Sequence, residues 1–69
     1  MDAHIIVKYM SAENGFTRPL YQVEYCAVPG NGYDTADVYR TFGVYIDEDV
    51  AEFVKNEINK GSIHPVRKG

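Results

Sequence analysis

Residues 47–61 read as a helix with both ends written into the sequence. The Asp47 carboxylate can accept an unpaired backbone N–H of a first turn. Glu48 and Asp49 follow where the helix dipole favours negative charge. Val50, Phe53, Val54, Glu57, Ile58 and Gly61 keep the three-and-four spacing of one face, with Glu57 alone out of place among the apolar residues. Glu52, Lys55, Asn56 and Asn59 take the other side. Lys60 falls in the last turn, and Gly61 stands where a left-handed cap would stop the helix.

The stretch before it, residues 34–46, supports two readings. As a strand, Val38, Arg40, Phe42, Val44 and Ile46 point one way and Tyr39, Thr41, Gly43 and Tyr45 the other, and the β-branched and aromatic content favours this. As a short helix, Asp34 is the cap, Asp37 completes a near capping box, and Tyr33 and Val38 form a hydrophobic staple. Gly43 then ends that helix. Three local signals agree on the helix, and the strand would turn Arg40 inward. The helix is therefore the expectation.

Residues 3–10 and 20–28 alternate as strands. Ile5, Val7 and Tyr9 form one face of the first, and His4, Ile6, Lys8 and Met10 the other. Tyr21, Val23, Tyr25 and Ala27 form one face of the second. Asn14-Gly15 between them is a hairpin signal, because both residues accept positive φ. A two-residue turn there pairs Tyr9 with Leu20, Val7 with Gln22 and Ile5 with Glu24, which sets a clean apolar face against a mixed one. A shift by one residue pairs Tyr9 with Tyr21, Val7 with Val23 and Ile5 with Tyr25. Burial of one face should enforce the shifted parity. The spacing thus predicts a bulge, or a loop with an odd number of residues, within 11–19, and Pro19 favours irregularity there.

Pro29-Gly30-Asn31-Gly32 breaks the second strand. Residues 62–66 read as extended ahead of and through Pro65 and could add an edge strand, with a frayed tail at 67–69. The expected class is a single small α+β domain over residues 1–69. It would hold an antiparallel β-hairpin, two helices and a short C-terminal edge strand, in the order ββααβ. The alternative is a three-stranded meander with one helix, βββα.

A chain of 69 residues buries only about 60% of the surface it exposes unfolded, so association with a partner or with itself as a homodimer would help it. Cys26 is the only cysteine, so no internal disulfide is possible, which fits a reducing cytoplasm. No basic segment followed by a long apolar run marks a secretory signal. Ile5-Ile6-Val7, the longest apolar run, cannot span a membrane. Net charge is −3, and residues 33–57 hold seven acids against Arg40 and Lys55. An acidic middle disfavours direct nucleic-acid binding and favours a basic partner, although helix starts attract carboxylates without any partner.

No catalytic constellation is present. His4, Cys26 and His64 lack the paired spacing of a metal site, and nothing sets a Cys-His pair beside an orienting group. The glycine-rich loop lacks the lysine and hydroxyl of a phosphate loop, and Asp47-Glu48-Asp49 lacks a calcium-loop spacing. The expectation is a non-enzyme without metal or cofactor. Tyrosine favours interfaces, and Tyr33, Tyr39 and Tyr45 flank the acids. Asp34, Asp37, Tyr39, Tyr45, Asp47, Glu48, Asp49 and Glu52 are therefore the candidate partner-binding residues, forming an acidic-aromatic surface. An alternative use of Tyr33, Tyr39 or Tyr45 is base stacking in an oligomeric nucleotide-binding or sponge protein.

At Tyr33-Asp34, Tyr39, Phe42-Gly43-Val44, Ile46, Val50, Glu52 and Gly61 the chain resembles the small phage-encoded type I-F anti-CRISPR proteins. The resemblance covers roughly half the chain and implies the ββααβ order. It also implies an inhibitor that acts in the host-cell cytoplasm as a DNA mimic, covering basic surface of a crRNA-guided complex with acidic side chains. Tyr39 and Arg40 stand where the relative is acidic. Asp34 and the acids from Asp47 to Glu52 are those available for that role here.

Overall fold

The computed structural model describes residues 2–11, 15 and 17–65. Among these described residues, three strands and one helix follow in the order β1 (Ala3–Ser11), β2 (Thr17–Val28), β3 (Val38–Tyr45) and α1 (Glu48–Lys60). The strands form one antiparallel sheet in the order β1-β2-β3. This is the βββα arrangement, and the ββααβ expectation is corrected at two points. Residues 38–45 are a strand rather than a first helix. Residues 62–65 turn back over the core, where Ile63 packs and Pro65 is buried, without forming a strand. Val66 and the tail after it lie outside the described residues.

The helix expected at residues 34–42 fails because its cap is used otherwise. Asn31, not Asp34, organises the chain there. Its Oδ1 accepts the backbone N–H groups of Tyr33 at 2.8 Å and of Asp34 and Thr35 at 3.2 Å. Its Nδ2 donates to Asp34 Oδ1 at 2.7 Å. Asp37 turns back to accept the Gly30 N–H at 2.6 Å. With those groups satisfied in a closed loop, the β-branched and aromatic run that follows is free to pair with β2. Strict alternation along β3 is broken by a register shift at Phe42. That bulge leaves Tyr39, Thr41 and Val44 opposite Cys26, Glu24 and Gln22, and Arg40, Gly43 and Tyr45 opposite Tyr25, Val23 and Tyr21.

In the β1–β2 hairpin, Ala3, Ile5 and Val7 pair with Tyr25, Val23 and Tyr21. The parity is the expected one, apolar face on apolar face, but the pairs lie two residues from those expected. Ser11 pairs with Thr17, so residues 12–16 between them are odd in number, as the face-matching required. Gly15 has φ +86°; the other half of the expected turn, Asn14, lies outside the described residues.

The ends of α1 match the sequence. Asp47 accepts the Asp49 N–H at 2.8 Å. Gly61 has φ +88°, and its N–H donates to the Ile58 carbonyl at 3.1 Å. The buried seam of α1 is Ala51 and Ile58 with Val54 beside them. It packs on Ala3, Val23, Tyr25 and Ala27 of the sheet. Asn59 fastens the helix to β1, accepting the Ala3 N–H at 2.8 Å and donating to the Ala3 carbonyl at 3.2 Å. Val50 and Phe53, expected on the packed face, are exposed. Asn59 turns one flank of the helix to β1, and the helical spacing puts Val50 and Phe53 on the other flank.

Candidate functional site

β3 separates the expected acidic surface into two poles. Asp34 and Asp37 lie in the loop before it, and Asp47, Glu48, Asp49 and Glu52 gather where α1 begins after it. Eight residues of strand between them span roughly 25 Å at about 3.3 Å per residue. Most of these acids also have a structural task. Asp34 and Asp37 close the loop, Asp47 caps the helix, and Glu52 pairs with Lys55 at 2.9 Å. Glu48 lies beside Tyr21.

The tyrosines separate as well. Tyr45 belongs to the helix side and lies along the strand over Gly43, where an added Cβ would come within 2.6 Å of the Tyr45 hydroxyl. Tyr39 is on the opposite face, its ring 4.8 Å from that of His4. Desolvation first, then the Asp37 charge, holds the Tyr39 hydroxyl above the ordinary tyrosine value. Of the three candidate stacking platforms, Tyr33 stands free, 97% exposed at the loop tip.

The helix-free face of the sheet carries a polar line. His4 Nε2 lies 3.3 Å from Glu24 Oε1. Gln22 Nε2 donates to Glu24 Oε2 at 2.8 Å and to Thr41 Oγ1 at 3.1 Å. Gln22 is buried and Glu24 largely so, each with a partner, which is what burial of a polar group requires. Ile6 and Val44 flank the line and are exposed. Among the described residues, no group of three or more His, Cys, Asp or Glu side chains could hold a metal ion. No described helix is long and apolar enough to cross a membrane.

What the sequence reading missed is apolar. Ile46 is 65% exposed and Phe53 62%, with Val50 and Phe42 also open. Ile46, Val50 and Phe53, with Asp47, Glu48 and Asp49, make the α1 start an acidic and apolar pole. The signal available was the width of the helix stripe. Val50 and Phe53 extend it further than one buried seam needs. No family model, curated protein or solved structure matches the chain.

Proposed function

We propose that this domain is a non-catalytic interaction protein that docks on a basic protein surface with the pole where α1 begins. One observation carries this reading. Exposed Ile46, Val50 and Phe53 sit among Asp47, Glu48 and Asp49. Apolar area of that kind supplies affinity in an interface core, and the surrounding charge selects and steers the partner. The resemblance given above makes the nucleic-acid-binding surface of a crRNA-guided effector in a phage-infected cell the first such target to test. Acidic groups at both ends of β3 would then occupy positions that target phosphates otherwise fill.

The test is functional. The chain is expressed in hosts carrying different CRISPR systems, a type I-F strain among them, and a targeted phage is plated. Rescue of plaquing in one system is the expected result. The variant Asp47→Asn, Glu48→Gln, Asp49→Asn keeps a capping oxygen at position 47 and should lose the rescue. Rescue that survives this neutralisation would remove the electrostatic basis of the reading. No rescue in any system would remove the effector as target.

A further inference from the structure

Among the described residues, nothing covers the β3 edge of the sheet. The Cys26 N–H donates to the Asp2 carbonyl at 3.0 Å. Alternate residues of a strand address opposite neighbours, so the even-numbered residues of β2 face β1 and the odd-numbered ones face β3. Tyr25 with Arg40, Val23 with Gly43 and Tyr21 with Tyr45 are then the bonded pairs. Tyr39, Thr41 and Val44 turn their backbone groups outward. Among the described residues, no strand pairs with that edge. The other edge is closed at its start, where Asn59 bonds the outward groups of Ala3, and Lys8 stands further along β1. β3 contains no lysine and no proline; its one charged residue, Arg40, lies on the helix side of the sheet, and its bulge is confined to Phe42. Val38, Phe42 and Val44 are exposed along it.

We propose that the β3 edge receives an extended segment of the partner protein as a fourth strand, apolar at its centre and basic at both ends. This rests on the reading of the domain as a binder of basic protein and specifies how it binds. Strand addition to an open edge draws affinity from main-chain hydrogen bonds and specificity from the side chains that alternate along it. The two acidic poles set the charge of the ends, Asp34 and Asp37 at one and Asp47, Glu48 and Asp49 at the other. They also disfavour a second copy of this chain. Two β3 strands paired antiparallel would set the Asp37 end of each against the Asp47 end of the other, placing like charges together twice.

The test is an amide-resolved NMR titration of the whole chain with acetyl-Lys-Arg-Thr-Val-Thr-Val-Thr-Lys-Arg-amide. The amides of Tyr39, Thr41 and Val44 should shift and become protected from solvent exchange. Glutamate at the probe ends should abolish the effect, as should N-methylation of alternate probe amides along one edge. Val44→Pro removes one outward N–H, with Gly43 before it to relieve crowding, and should weaken binding about tenfold, the worth of one hydrogen bond. If that variant loses its fold by circular dichroism, the N-methylated probe carries the same question. Equal binding of the N-methylated and plain probes, with binding still lost on charge reversal, would overturn strand addition and leave the acidic docking pole standing. Protection of the three amides without probe, in step with a concentration-dependent dimer, would make the occupant a second copy and overturn the proposal. No shift with any basic probe would remove both readings.

Discussion

Gly30 is held by space rather than by backbone angle. A Cβ there would lie 2.5 Å from the Thr35 carbonyl oxygen and 2.7 Å from the Ala36 carbonyl carbon, both main-chain atoms that the Asn31 bonds hold in place. Gly30→Ala should therefore cost about 1–3 kcal/mol, as overpacking does, read as a fall in urea midpoint. A cost within error would mean that the loop yields at little expense. Tyr21 gives a second expectation, in pH. Desolvation first, then the Glu48 carboxylate beside it, holds its hydroxyl above the ordinary value of 10.0. The folded chain thus keeps this proton past the point at which the unfolded chain releases it. The contribution is complete below pH 10.0 and is lost as pH rises through the folded value. Denaturation midpoints measured up through that range should fall more steeply for the native chain than for Tyr21→Phe. Parallel curves would show that the two states hold the proton alike.

Among the elements, α1 was legible because its ends are local. Asp47 meets a neighbour two residues on, and Gly61 closes on its own last turn. Asp47→Ala should therefore cost about 1 kcal/mol, with loss of helicity confined to the first turn in NMR secondary shifts. An unchanged first turn would assign the start to packing instead. β3 was legible only as the second of two options, for the complementary reason. Its staple and box signals at Tyr33, Asp34, Asp37 and Val38 are real local options, but Asn31 takes the turn's N–H groups three residues earlier than a cap at Asp34 would. Pairing with β2 then decides the conformation, and no short window contains that partner. The bulge at Phe42 also hid which residues share a face. Arg40, awkward as an inward residue, lies on the helix side of the sheet yet remains exposed, because α1 covers β1 and β2 more than β3. The candidate site suffered most from this. Contiguity along the chain suggested one acidic-aromatic surface, and a strand between Asp37 and Asp47 makes it two.

At the scale of the whole molecule, support for the sheet runs out along the β1–β2 hairpin. β3 pairs with β2 only from Tyr21 onward, and the core lies at the opposite end, around Val23, Tyr25, Ala27, Ala51 and Ile58. Beyond Tyr21, Lys8 with Leu20 and Met10 with Arg18 form a ribbon of two strands, and Tyr9 and Met10 on it are exposed. Such a ribbon is marginal on its own and should open without the rest of the fold. Amides of Lys8, Met10, Arg18 and Leu20 should accordingly exchange about a hundredfold faster than those of His4, Glu24 and Cys26, which open only with the core. Ile58→Ala discriminates the two processes. Ile58 is fully buried, and its truncation should cost about 2–5 kcal/mol, much of the stability a domain of this size holds. Exchange at His4, Glu24 and Cys26 should then accelerate steeply, while the ribbon, already governed by its own opening, should change little. Equal acceleration at both ends would mean that the hairpin opens as one unit with the core.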